Sequence, residues 1–100
     1  VSPSRFAVGH RDLNEPLILA VLARAGIGYI QLREGDGADV LVKDAPMYFV
    51  EIKNPAQKPS KRRLTDDELK LQAECKEKGI DYHVVEYPEH MLTIINSRRE

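Results

Sequence analysis

Three ionisable residues, Asp39, Glu51 and Lys53, fall inside two of the most apolar stretches of the chain, Gly37-Ala38-Asp39-Val40-Leu41-Val42 and Tyr48-Phe49-Val50-Glu51-Ile52-Lys53. Both read as strands, and Asp44-Ala45-Pro46 between them is a hairpin-length connection. If those three residues form the turn, Leu41 opposes Phe49 and Asp39 opposes Glu51. Directly opposed residues hold their Cβ atoms ~4.5–5.5 Å apart, and like charges there are destabilising. Lys53, two residues past Glu51, projects from the same face and brings an ammonium to the pair.

A Glu-x-Lys pair in an arbitrary strand is usually a solvated and weak salt bridge. The apolar setting argues for more, because an uncompensated charge inside a strand pair is costly. A divalent cation held by both carboxylates would relieve the repulsion. Magnesium commonly binds through one or two carboxylates and keeps its other positions for water and substrate phosphate. Such an ion can polarise a phosphodiester and lower the pKa of its water, while a nearby lysine orients that water or stabilises developing charge.

The surrounding pattern shows what must hold these groups. A first helix is expected from Asp12 to Ala25, with Asp12 and Glu15 spaced as a capping box and Gly26 as its stop. Its Leu17, Ile18, Leu19, Val21 and Leu22 surround the axis and predict burial on nearly all sides. Strands follow at Tyr29 to Arg33, Asp39 to Lys43 and Met47 to Lys53; the loop from Asn54 to Arg63 carries Pro55 and Pro59. The second helix has Thr65 as N-cap, Glu68 as capping-box partner and Gly79 as left-handed stop after Lys78. A strand at Tyr82 to Glu86 and a helix from Pro88 to about Asn96 complete the order αβββαβα, an α/β fold with a mixed central sheet flanked by helices.

One hundred residues make one domain, 1–100, without internal repeats. The single Cys75 excludes a disulfide framework and points to a reducing compartment. The longest apolar run, Pro16 to Ala23, is too short to span a membrane, and no signal-peptide pattern opens the chain, so a soluble, intracellular and cytoplasmic protein is expected. The start at Val1 suggests a processed or trimmed end. A net charge of −1 argues against general coating of nucleic acid, but Lys58, Lys61, Arg62 and Arg63 form a local basic patch. Such runs are often only solvated; this one lies between the carboxylate-bearing strand and the second helix, where it could grip phosphates. His10, His83 and His90 lack metal-ligand spacing, and Cys75, mid-helix without a histidine partner in sequence, is not read as a nucleophile.

Asp39, Glu51-Ile52-Lys53 after a hairpin of eleven intervening residues, and a preceding helix with Glu15 together resemble the PD-(D/E)XK nuclease superfamily. More narrowly, Gly37-Ala38-Asp39, Val50-Glu51-Ile52-Lys53, Leu64-Thr65 and Gln72 are similar to its VRR-NUC branch, over nearly the whole chain. Ala38 stands where the superfamily's name-giving motif has proline. The resemblance implies a restriction-endonuclease-like αβββαβ core and a metal-dependent, structure-specific DNA endonuclease. It implies that Asp39, Glu51 and the Ile52 carbonyl bind magnesium or manganese, that Lys53 assists the attacking water, that Gln72 supports the site, and that Glu15 supplies the helix-one acid and a further metal ligand. Glu15 would also have a capping task. A stand-alone domain of this size resembles the Holliday-junction-resolvase-like form, which implies a homodimer cutting branched DNA such as four-way junctions; a phage or bacterial source would fit. The alternative from another class is a non-catalytic DNA-junction binding module on the same fold. The apolar residues Met91, Leu92, Ile94 and Ile95, with Tyr82 to Tyr87, are candidates for the dimer surface or, alternatively, for completing the core of each protomer.

Overall fold

The computed structural model describes residues 14–99. They form α1 (Glu15–Arg24), β1 (Gly28–Gln31), β2 (Val40–Lys43), β3 (Tyr48–Ile52), a 3-10 turn (Pro59–Lys61), α2 (Asp66–Lys78), β4 (Tyr82–Val85) and α3 (Pro88–Arg98). The expected element order holds. The four strands make one mixed sheet in the order β1-β2-β3-β4: the first three are antiparallel, and β3 and β4 run parallel through the α2 crossover. Leu41 pairs with Phe49, as a turn of Asp44, Ala45 and Pro46 requires. The Ala45-Pro46 peptide is cis.

Strand alternation divides the sheet between two tasks. Val40, Val42, Tyr48, Val50, Ile52 and Val85 point to one face and meet Ile18, Leu19 and Leu22 of α1 and Met91 and Ile95 of α3 in the main core. The intervening residues Asp39, Leu41, Phe49, Glu51 and Lys53 therefore belong to the other face, where α2 lies. Contact there is close: the Tyr82 hydroxyl donates to the Gly37 carbonyl at 2.7 Å. A Cβ at Gly37 would stand 2.8 Å from Leu71 Cβ and 2.9 Å from the Asp67 carbonyl.

Two expectations about the helices change. In place of burial all round, α1 leaves Leu17 62% exposed, because the sheet takes one side of the helix and α3 a flank, leaving the rest open. Its N-cap position is Asn14, which makes no side-chain cap bond. The Asn14 amide instead donates to the Lys53 carbonyl at 3.0 Å and the Glu86 carbonyl at 2.7 Å, fastening the start of α1 to the ends of β3 and β4. Asp12, the expected cap, and His10 lie outside the described residues. The candidate dimer surface also changes, since Met91 and Ile95 are 0% and 2% exposed and complete the core, whereas Leu92 faces outward.

The end of α3 is secured by Arg98. Its guanidinium lies 4.2 Å from the centre of the Tyr48 ring, pairs with Asp81 at 2.9 Å and Asp44 at 3.6 Å, and donates to the Pro46 carbonyl. One side chain thus joins α3, the β2–β3 turn and the entry to β4. His83 packs edge-on against Tyr48, and burial holds its imidazole below the usual value, as befits a packed histidine. Among the described residues no helix is long and apolar enough to cross a membrane.

Gly37 gives the fold's sharpest test. Its φ of +95° and the 2.8 Å approach to Leu71 leave no room for a methyl group. Gly37→Ala should cost about 1–3 kcal/mol, with about 4–8 °C of Tm lost per kcal/mol for a domain of this size. Thermal unfolding followed by circular dichroism reads this directly, and an unchanged Tm would contradict the packing of α2 on this turn.

Candidate active site

The α2 face of the sheet opens at the ends of β2 and β3 into a cavity of about 520 Å³. Asp39, Glu51, Ile52 and Lys53 line it, together with the turn around Arg33 to Gly37, the loop residues Asn54, Gln57 and Lys61, and the first turn of α2. The hairpin thus brings together the three residues whose types and spacing suggested chemistry.

Asp39 is held where the β2–β3 ladder gives out. Its N–H donates to the Val50 carbonyl at 3.0 Å and its carbonyl accepts from Leu32 N–H at 2.8 Å. Its carboxylate Oδ2 accepts the Ile52 N–H at 2.7 Å, taking the place a strand carbonyl would fill. Glu51 is only 4% exposed. Burial, the neighbouring Asp39 charge and interaction with Glu68 push its carboxyl up to about 9, against the opposing pull of Lys53. At neutral pH the buried Glu51 therefore carries a proton.

Lys53 is 8% exposed, and its Nζ lies 2.8 Å from Glu68 Oε1 and 3.2 Å from Glu51 Oε2. Burial works against its charge, but the hydrogen bond to Glu68 and the charge and hydrogen bond of Glu51 prevail and hold the ammonium above its usual value. Glu68 shows the reverse balance: burial would raise its carboxyl, yet the Lys53 bond, the Thr65 N–H and a hydrogen bond from Glu51 keep it low. The floor thus combines Asp39, a protonated Glu51 and a charged Lys53–Glu68 pair.

Among the described residues, no three histidine, cysteine, aspartate or glutamate side chains converge as a metal-holding group. The donors that fit a metal are the Asp39 and Glu51 carboxylates with the Ile52 carbonyl beside them, all hard oxygen atoms of residues lining one cavity. A cation there would take the place of the Glu51 proton and answer the same electrostatic demand.

Glu15 is placed elsewhere. It is buried, accepts a hydrogen bond from Gln31 Nε2 at 3.2 Å and lines a second cavity of about 380 Å³ with Pro16, Leu19 and Tyr29. The reason is that α1 packs on the face of the sheet that carries the main core, and Glu15 meets Gln31 of β1 there. Gln72 is half-buried one turn along α2 from Glu68 and does not line the active cavity. Glu68 occupies that place. The sequence marked Glu68 as a cap alone, although its spacing of one helical turn from Gln72 put both on one face.

The basic loop separates into different roles. Lys61 lines the cavity, and Lys58 and Arg63 are exposed. Arg62 is half-buried with its Nη1 3.5 Å from Glu86 Oε2, a strut between the loop and the end of β4. Arg33, read from sequence only as the end of a strand, lines the cavity from the turn between β1 and β2, and Asp36 Oδ2 accepts its backbone N–H at 2.7 Å. No periodicity marked it. Cys75 is buried on α2 with its thiol pushed up by burial, an environment for packing rather than nucleophilic attack.

Glu51 makes stability depend on pH. In the folded chain it keeps its proton up to about pH 9, whereas unfolded it loses it near 4.5. Folding therefore takes up a proton between those values, and stability falls as pH rises through the window, by at most ~1.4 kcal/mol per pH unit. In denaturant titrations without divalent ions, from about pH 7 to about pH 8.5, the wild type should weaken while Glu51→Gln stays level and becomes the more stable protein. Parallel pH profiles would show that Glu51 is ionised in the folded state. Compared with family models, with curated proteins and with solved structures, the chain gives no match.

Proposed function

We propose that the chain is a metal-dependent DNA endonuclease of the VRR-NUC type within the PD-(D/E)XK superfamily, hydrolysing phosphodiester bonds in branched DNA and acting as a homodimer. One observation carries the reading. Asp39, Glu51 and Lys53, which the motif names, line one polar cavity with Ile52 between them, and the two acids sit close enough for the Asp39 charge to raise Glu51.

In this reading Asp39, Glu51 and the Ile52 carbonyl would hold magnesium or manganese. The bound ion supplies polarisation of the phosphate and a water of lowered pKa. Lys53 offers an ammonium beside the carboxylates, suited to orienting the attacking water and countering charge that develops on the phosphate. Asp39 stays oriented through its bond to the Ile52 N–H, which limits the rearrangement needed when a substrate arrives. Arg33 and Lys61 line the cavity from different loops, and both offer phosphate contacts beside its carboxylates. A four-way junction needs two incisions related by a two-fold axis, and each protomer provides one such cavity.

The decisive assay incubates the protein with magnesium and a panel of duplexes, flaps, splayed arms and four-way junctions. Wild type should make paired cuts in the junction while sedimenting as a dimer. Asp39→Asn should abolish cleavage with folding and DNA binding nearly intact; Lys53→Ala should abolish it too, but with a loss of stability, because Glu68 is left without its buried partner. Magnesium-dependent cutting by Asp39→Asn at a near-normal rate would remove the assignment, and junction binding without cleavage by wild type would favour a binding module.

The basic loop makes a separate, quantitative case. Each phosphate contact on duplex DNA contributes ~0.9 to the slope of log affinity against log salt. Replacing Lys58, Lys61 and Arg63 with alanine should flatten the slope and weaken all substrates alike. Arg62→Ala should instead loosen the loop at a cost of ~0–1 kcal/mol, the range for a partly exposed ion pair, and leave the slope nearly unchanged. A slope unaltered by the triple replacement would place the DNA elsewhere.

A further inference from the structure

We infer that Glu68 is the residue that positions the Lys53 ammonium in the cavity, so that the capping box of α2 and the hydrolytic site are one device. The inference rests on the nuclease reading only for the task that Lys53 serves. The contact itself is a matter of geometry.

Glu68 Oε1 accepts two hydrogen bonds, one from the Thr65 N–H at 2.8 Å and one from Lys53 Nζ at 2.8 Å. The Thr65 hydroxyl accepts in return from the Glu68 N–H, so both halves of the capping box are formed. Glu68 can therefore leave Lys53 only by also giving up a bond that closes the start of the helix. Its side chain is 15% exposed, which limits competition from solvent. Glu51, the motif partner of Lys53, lies farther away at 3.2 Å.

A lysine stem has four rotatable carbons and no inherent direction, so its ammonium goes where the best-fixed acceptor puts it. Here that acceptor is anchored by the backbone of α2, not by the strand that carries Lys53. Glu51 remains available for a cation without releasing Lys53 when the cation binds. Glu68 is thus a positioning residue. It acts through Lys53 and has no contact with the reacting phosphate in this scheme.

Glutamine serves as well as glutamate at this position of a capping box, which separates the two tasks of the side chain. In Glu68→Gln the cap should persist and Tm should change little, while the charged anchor is lost. The measurement is the side-chain ¹⁵N signal of the Lys53 ammonium in the metal-free protein. In wild type it should be a slowly exchanging resonance; in Glu68→Gln it should exchange about tenfold faster or disappear, and in Glu51→Gln it should persist. An unchanged signal in Glu68→Gln, or its loss only in Glu51→Gln, would overturn the inference. If Glu68→Gln fails to fold, the wild type still decides: contacts from the Lys53 ε-methylene to the Glu68 γ-methylene in nuclear Overhauser spectra support it, and contacts to Glu51 alone refute it. With magnesium and a cleavable junction, Glu68→Gln should lower kcat about ten- to hundredfold at nearly constant KM, the cost of a misplaced catalytic group. A raised KM with kcat intact would also overturn it. Absence of cleavage in wild type would sink the nuclease reading instead, a failure the ammonium signal distinguishes because it needs neither metal nor DNA.

Discussion

Negative charge gathered at the end of the β2–β3 hairpin has to be balanced inside the protein, and much of the architecture around the cavity answers that demand. Asp39 and Glu51 arrive together because the strand register brings them there, and the register is fixed by the apolar residues on the opposite face. A slip of β3 by one residue would turn Val50 and Ile52 outward and Glu51 into the main core. The fold therefore cannot relieve the repulsion by shifting its strands. It relieves it locally, with a proton on Glu51, the Ile52 N–H on Asp39 and the ammonium of Lys53.

Glu68 adds a third carboxylate to this floor, at first sight an aggravation. Its partners explain why it is tolerated. The Thr65 N–H and the Lys53 ammonium share one of its oxygens, and both favour the charged form strongly enough to overcome burial. The charge on Glu68 in turn helps to keep the neighbouring Glu51 neutral. The cavity thus contains one carboxyl that holds a proton and another that does not, a separation created by environment rather than by residue type.

The sequence revealed most where local chemistry decides structure. Thr65, Glu68 and Gly79 delimit α2 as expected, since capping bonds and a left-handed stop involve only neighbours in the chain. The hairpin was equally legible because the length of its turn sets the pairing of the flanking strands. Burial of α1 was not: Leu17 is as apolar as Leu22, and only the positions of α3 and the sheet determine which of them faces solvent. Glu15 lies apart from the other motif residues for a similar reason, because a motif gives the order of residues but not the face of the sheet on which a helix lands. Arg62 and Arg63 are identical neighbours in sequence, and only the approach of Glu86 from the end of β4 makes the first a strut.

The remaining constraint concerns the backbone at Lys53. Open α/β sheets commonly bind ligands beyond the carboxyl ends of their strands, where the chain leaves regular pairing and its peptide groups need other partners. Lys53 follows β3 at such an end. Its N–H donates to Val85 at 3.0 Å, and its carbonyl accepts the Asn14 amide at 3.0 Å. Asn14 also holds the Glu86 carbonyl, so the start of α1 grips the ends of both parallel strands while α2, on the other face of the sheet, holds the Lys53 ammonium through Glu68. The backbone and the side chain of one residue are therefore fixed by different helices. This arrangement supplies the rigidity that a charged group in a buried site requires: Lys53 can neither withdraw with its strand nor swing away on its stem unless a contact to one of the two helices is broken first.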